Sequence, residues 1–436
     1  MIQEAKMNNF NLCVPTDIRF GKGQIECLPG ELRKYGSRVL LVYGGGSIKR
    51  SGLYDKVIQL LGKSCSNNDG HSADNERRAF TIFELSGISP NPKISSVREG
   101  VKLCRENHVD VLLAIGGGSC IDASKAIAAG ALYEGDPWDL VIDKTKANGA
   151  LPVVDILTIS ATGSESNPGA VISNEETKEK LELNMPCLYP RLSICDPTYL
   201  YTLPAKQTAA GVADIISHVF EQYFQPNDEA YITDRISEAV LKTCFHYGSI
   251  ALKEPENYEA RSNLMWAATL GLNHILTVGK GGAWSCHPIE HELSAFYDVT
   301  HGYGLAVITP AWMRYVLSSK TKDRFAMYAE NVWEITEESL EESGAHTDGE
   351  VSGMNHTVHD NLDKRDFTME IAKAGIEKTA EFFRSMGLPT KLSDMGIGDE
   401  HFSEMAIEAE RISKIATRAY AHLTADDIVR IFEMCR

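Results

Sequence analysis

The chain runs to 436 residues, 43% of them hydrophobic and 24% charged, which calls for two or three domains around a sizeable buried core. Its formal charge of −17 excludes a generic nucleic-acid or anionic-membrane binder, because either needs a basic face. No run approaches the ~20 apolar residues of a membrane span, the polar start Met1-Ile2-Gln3-Glu4-Ala5-Lys6 has no signal-peptide core, and the ten cysteines form no CxxC pair, so a cytoplasmic protein with free, mostly buried thiols is expected.

Residues 10–30 alternate short apolar stretches with glycines and suit a hairpin or an edge strand. Val39-Leu40-Leu41-Val42-Tyr43 is a continuous apolar run, the pattern of a strand buried on both faces. It ends in Gly44-Gly45-Gly46-Ser47-Ile48-Lys49-Arg50, and a helix is expected over 54–61. Residues 63–79 are polar and aperiodic, a surface insertion. A strand over 80–85, an extended turn at Pro90-Asn91-Pro92 and a helix over 95–107 follow. The next strand, 109–115, runs into Gly116-Gly117-Gly118-Ser119 and a helix through Leu132; a further strand over 151–159 ends in Ser160-Ala161-Thr162-Gly163-Ser164-Glu165. Strands alternating with helices predict an α/β domain with a mainly parallel sheet. Beyond Leu203 helical spacing takes over, at 207–224, 231–251, 258–276, 304–318, 366–386 and 400–415, with an acidic connection over 335–362. The expected domains are therefore 1–203, α/β, and 204–436, all helical.

A strand that ends in glycines and opens a helix offers free backbone N–H groups to a phosphate. Gly116–Ser119 is such a turn, although it is neither GxGxxG nor a P-loop, and a plain tight turn explains many cases. Asp122 reads as a carboxylate near a helix N-terminus. At the earlier turn, dinucleotide folds often place an acid on the adenosine ribose. Here Ser47, Lys49 and Arg50 stand in that kind of position with no acid beside them in the sequence, which suits a 2′-phosphate; a solvated basic turn is the plainer reading. Thr158, Ser160, Thr162 and Ser164 offer hydroxyls on one segment.

Asp214 and His218 share one face of an apolar helix, at i and i+4. Three of the thirteen histidines, His287, His291 and His301, fall within fifteen residues of one another. One carboxylate and imidazoles suit Zn²⁺ or Fe²⁺ with an open position for substrate, but spacing does not choose between His287 and His291. A hydrogen-bonded Asp/His pair in a helical core is the alternative for the first two. Cys286 is not taken as a ligand, because adjacent residues rarely point the same way. His287-Pro288-Ile289-Glu290-His291 also matches the H-x-x-E-H signature of certain zinc metallopeptidases, a function with no use for two glycine turns.

Together, Gly44–Arg50, the 87–92 turn, Gly116–Asp122, Thr158–Glu165, Ala209–His218 and His287–Gly302 resemble the iron-containing (group III) alcohol dehydrogenases, in particular the NADPH-dependent butanol dehydrogenase/aldehyde reductase branch. The resemblance implies a dehydroquinate synthase-like fold with NADP(H) in the cleft between an α/β and a helical domain. It implies one divalent metal, Fe²⁺ or Zn²⁺, on Asp214, His218, His287 and His301, with His291 as the non-ligating histidine beside an aldehyde or alcohol substrate. It further implies that Gly116, Gly117, Gly118 and Ser119 bind pyrophosphate, that Ser47, Lys49 and Arg50 select NADP, and that Thr158, Thr162, Lys180 and Tyr199 lie near the cofactor. Gly45, Gly46, Asn91, Asp122 and Ser160 complete the expected cofactor set. By its own surroundings Lys180 reads as a solvated lysine, and Glu290 as a structural carboxylate. A homodimer is the family's implication; a non-catalytic member of the fold is the remaining alternative. The chain departs from the family's pattern in the long 63–79 segment and in Ile159-Ser160-Ala161-Thr162, where a threonine-rich loop is usual.

Overall fold

Six parallel strands form one sheet in the order β1-β8-β5-β4-β2-β3: β1 Asp17–Phe20, β2 Arg38–Tyr43, β3 Thr81–Leu85, β4 Val111–Gly116, β5 Val153–Leu157 and β8 Leu192–Cys195. The structure is a computed structural model and describes residues 7–62, 79–226, 229–342 and 366–436. The central strands β2 and β4 are continuous apolar runs, β5 breaks its run only at the buried Asp155, which accepts the Ser193 hydroxyl, and both faces of the sheet are covered. Leu40, Val42 and Leu112 point to the core shared with helices Ile94–Glu106 and Gly118–Ala131. Val39, Leu41, Val111 and Leu113 point to the opposite core, with helix Leu53–Gly62. This alternation is the period-two geometry of a strand.

Residues 10–30 give the edge strand of the two expected alternatives: β1 pairs in parallel with β8, Asp17 opposite Leu192. Two features differ from the sequence-based expectation. A two-stranded antiparallel ribbon, β6 Gly169–Asn174 and β7 Glu179–Asn184, stands where the sequence reading assigned no element, and the four-residue β8 was equally unmarked. The expected helix over 258–276 stops at Leu272, because His274 takes a left-handed conformation (φ 71°). Most of the insertion expected over 63–79, and the 335–362 connection from residue 343, lie outside the described residues; the preceding part of the connection carries a short helix, Glu337–Glu342.

From residue 205 onward the described chain is helical. Helix Ala205–Tyr223 is almost wholly buried and packs against Tyr231–Lys253, Tyr258–Leu272, Cys286–Tyr297 and His301–Val316. Their apolar faces merge into one large core. The nine described cysteines are free thiols, six of them buried.

Candidate functional site

Helix Ala205–Tyr223 brings Asp214 and His218 to one side, and it approaches the sheet domain at Gly211, where a Cβ would lie 2.3 Å from the Ser160 carbonyl oxygen. His287 sits in the first turn of Cys286–Tyr297, and His301 is the first residue of His301–Val316. Between those helices the chain turns at Asp298, left-handed at φ 51°. Lys93 Nζ donates to Asp298 at 2.8 Å, and Asn91 Nδ2 donates to Asp298 at 3.2 Å and to the Val299 carbonyl at 3.1 Å. Gly302 then lets the last helix settle against Ala205–Tyr223, since a Cβ there would stand 2.1 Å from the Ala210 carbonyl oxygen.

The result is a convergence of donor atoms. Asp214 Oδ1 lies 3.5 Å from His218 Nδ1, 3.9 Å from His287 Nε2 and 3.5 Å from His301 Nε2. Donor atoms of Asp214, His287 and His301 all fall within 4.8 Å of one another. Asp214 Oδ1, His218 Nδ1 and His287 Nε2 are buried with no hydrogen-bond partner. Orphaned polar atoms that face one point in a protein interior are costly unless something positive completes them. One carboxylate with three imidazoles is the donor chemistry of Zn²⁺ or Fe²⁺, so these residues fit a divalent ion. Burial, and then the neighbouring charge of Glu290, push the Asp214 carboxyl up to about 8. Cys286 is buried with its thiol at Thr309, outside this group.

His291 has no hydrogen bond among the described residues; its ring stands 6.3 Å from that of His287 and 5.5 Å from that of His301. Burial first, and then Lys180, hold its pKa well below the ordinary range, so the ring is neutral. Glu290 is fully buried and hydrogen-bonded to Ser294, His301 and Lys180. It has no open approach to a water, which removes the metallopeptidase reading of this stretch. Lys180 corrects its own plain reading: β7 lays it over helix Cys286–Tyr297, 4% exposed, with Nζ 3.4 Å from both Glu290 and His301 Nδ1.

A cavity of about 520 Å³ runs from the histidines to the sheet domain, lined by His218, His287, His291 and His301 at one end. Asn91, Ser119, Asp122, Thr162 and Lys180 line it elsewhere. The glycine turn after β4 is crowded: a Cβ at Gly116 would meet Cys120 Sγ at 2.5 Å, and one at Gly118 would meet Thr162 Oγ1 at 2.4 Å. The Asp122 carboxylate is not solvated; it accepts the Ser164 hydroxyl at 2.5 Å and the Val171 amide at 3.0 Å. Lys125, unmarked in the sequence reading, is fully buried one turn later and donates to Ser164 Oγ, Asn167 O and Gly169 O at 2.7–2.8 Å. Its signal was a lysine three residues after an aspartate in an otherwise apolar helix.

The other glycine turn lies beside this one, because β2 and β4 are neighbours with Tyr43 opposite Ile115. Gly45, Ser47, Lys49 and Arg50 are exposed there, with Gly46 at φ 93°. Lys49 Nζ sits 4.6 Å from the Tyr54 ring centroid. The reading that no acid stands near this turn holds for the sequence alone: Glu84, at the end of β3, accepts from the Tyr43 and Tyr54 hydroxyls at 2.6 and 2.7 Å. Thr158, Ser160 and Tyr199 do not line the cavity. Thr158 donates its amide to Gly116, Ser160 is buried, and Tyr199 packs against the sheet cores.

Comparison with known families places this geometry. Residues 15–197 match the model of the iron-containing alcohol dehydrogenases, and residues 208–435 match that of the C-terminal region of the Fe-containing alcohol dehydrogenase family. The chain belongs to the iron-containing alcohol dehydrogenase family. As a member it is an oxidoreductase of alcohols and aldehydes that works with a nicotinamide cofactor. It is 47% identical over 427 residues to NADH-dependent butanol dehydrogenase A of Clostridium acetobutylicum, covering 98% of this chain and 99% of that one. It is 37% identical over 433 residues to the NADPH-dependent aldehyde reductase YqhD of Escherichia coli, covering 99% and 100%. Among solved structures, NADH-dependent butanol dehydrogenase A of Thermotoga maritima superposes with a TM-score of 0.83 at 37% identity over 99% of each chain.

Proposed function

We propose that this iron-containing alcohol dehydrogenase reduces aldehydes to primary alcohols with NADPH, using one ion, Fe²⁺ or Zn²⁺, held by Asp214, His218, His287 and His301. The observation that carries the reading is the set of orphaned buried donor atoms at the end of a cavity whose other end meets a glycine turn. When bound, the ion supplies Lewis acidity toward the substrate oxygen, and the nicotinamide supplies or accepts the hydride. The chain's own part is to align these partners. Residues 1–203 form the cofactor domain and 204–436 the metal domain. The amides of Gly116–Ser119 take the pyrophosphate at a helix N-terminus. Thr162, Asp122, Lys180 and Asn91, which line the cavity, shape the walls around ribose and nicotinamide, while Thr158, Ser160 and Tyr199 lie off it.

His291 is left with a free, neutral ring nitrogen facing the cavity, and that nitrogen moves the proton of the substrate oxygen. His291→Asn should lower kcat roughly 100-fold or more with KM little changed; full activity across pH would end this assignment. Ser47, Lys49 and Arg50, with Gly45 and Gly46, meet the 2′-phosphate of NADPH. The NADH-dependent name of the Clostridium relative and the nearby Glu84 make this the sharpest point to test. Reduced-nicotinamide absorbance should fall with butyraldehyde and NADPH, more slowly with NADH, and not at all after exhaustive chelation. Equal kcat/KM for the two cofactors would overturn the NADP assignment, and activity indifferent to chelation would overturn the metal. The enzyme acts as a cytoplasmic homodimer; light scattering at a monomer's mass would exclude the dimer.

A further inference from the structure

The converging donor atoms account for one side of each imidazole, and in two cases the other side meets a carboxylate. His287 Nδ1 lies 3.2 Å from Glu221 Oε1 while its Nε2 faces Asp214. His301 Nδ1 is hydrogen-bonded to Glu290 Oε2 while its Nε2 faces Asp214. Both carboxylates are themselves fixed. Glu221 stands seven residues after Asp214 and three after His218, on the same helix face. Its Oε1 accepts the His287 backbone amide at 2.7 Å and its Oε2 the Ser285 amide at 2.7 Å. It therefore caps helix Cys286–Tyr297, whose N-terminal dipole favours a negative charge. Glu290 is held by the Ser294 hydroxyl and by Lys180, with Gly304 of the next helix so close that a Cβ there would stand 2.7 Å from Glu290 Cγ.

A neutral imidazole carries one proton, and the hydrogen bond made by one ring nitrogen decides which nitrogen keeps its lone pair. We infer that Glu221 and Glu290 are positioning residues for the metal centre, each accepting the Nδ1 proton of its histidine, His287 or His301, so that Nε2 is bare and aimed at the ion. The inference rests on the metal reading given above and adds what holds two of its ligands in place. His218 is different: the nitrogen that faces Asp214 is its Nδ1 rather than its Nε2. An ion's two positive charges and that of Lys180 face three carboxylates, Asp214, Glu221 and Glu290, so the cluster is formally neutral.

The test uses the full chain with Zn²⁺ as the probe. Glu221→Gln and Glu290→Gln keep the side-chain size and remove the charge. Zn²⁺ affinity is measured by competition with a chromophoric chelator, alongside thermal unfolding of the metal-free protein. Each variant should bind Zn²⁺ roughly 10- to 100-fold more weakly, with metal-free unfolding close to wild type and altered ligand-field bands in the Co²⁺-loaded form. Unchanged Zn²⁺ affinity in both folded variants overturns the positioning role while leaving the four ligands standing. A wild type that binds no Zn²⁺ overturns the ligand set itself. A second measurement needs no variant: ¹⁵N NMR of the histidine-labelled, Zn²⁺-loaded wild type should show two metal-bound imidazoles with the proton on Nδ1. Protons on Nε2 at both overturn the inference.

Discussion

On the sheet side of the cavity, the groups expected to hold the cofactor are mostly backbone: the amides of Gly116–Ser119, set where a Cβ would collide with Cys120 or Thr162. On the helical side they are side chains, Asp214, His218 and His287 buried and His301 half-buried, with the buried ionisable groups Glu221, Glu290 and Lys180 behind them. The two walls should therefore fail differently. Backbone donors survive changes of neighbouring side chains but tolerate no added bulk where they approach a neighbour. Buried charged donors lose their function when a single partner is removed, because those left are unpaired in a medium that cannot solvate them.

The largest effect that can break this contrast is at Asp214, the atom that all three histidines face. Asp214→Ala should empty the centre of metal and lower kcat/KM on the order of 10³-fold or more, while cofactor binding, read by fluorescence titration, persists. Metal content equal to wild type by elemental analysis would erase the distinction between the walls. Next comes the glycine turn. Gly118→Ala places a methyl group against Thr162 at a cost of about 1–3 kcal/mol, equivalent to roughly 5- to 150-fold weaker cofactor binding if it falls wholly on that step. Metal content should stay at the wild-type level; a variant that binds cofactor normally would show that the turn has room the geometry denies.

The smallest effect concerns Glu292, next to His291 but facing away from the donor cluster, 3% exposed and without a hydrogen bond among the described residues. Burial, and then Glu408, raise its carboxyl to about 8 from an ordinary 4.5. The folded state thus holds a proton that the unfolded chain releases. The stability this contributes is fully present below about 4.5 and is lost as pH rises through about 8. Metal-loaded Glu292→Gln should match wild type at pH 4.5 and melt on the order of a few degrees higher at pH 8.5. Parallel melting curves at both pH values would mean that the carboxylate is accommodated without a proton.

The strands buried on both faces were readable because they are rich in Val, Leu and Ile: nothing polar interrupts the interior of β2 or β4, and β5 carries a single buried Asp155. The ribbon β6–β7 was not, because Glu175 to Glu182 is a run of charged and polar residues around a turn, with Leu181 its one apolar residue, and so looks solvated. Its one buried cation, Lys180, becomes apparent only when β7 is laid on a helix more than a hundred residues later. The same limit applies to the site. Asp214 and His218 announce themselves by four-residue spacing, and His287 and His301 by the density of histidine. Glu221 continues that face but gains its meaning from His287, 66 residues away, and Glu290 from a ring eleven residues away across a helix and turn. Local spacing reveals which residues share an element and is silent about which elements meet.

The turn at Asp298 and Val299 has a consequence for how the molecule assembles. Its clamps, Asn91 and Lys93, come from the sheet domain, 205 to 208 positions earlier in the chain. Contacts of such span close late, after the loop entropy between them has been overcome. His301 follows that turn directly, so its place is tied to the docking of the sheet domain. On the ligand set proposed above, binding of the ion would tie the helical half to the sheet domain through that turn, so metal affinity would report on whether the two halves are docked.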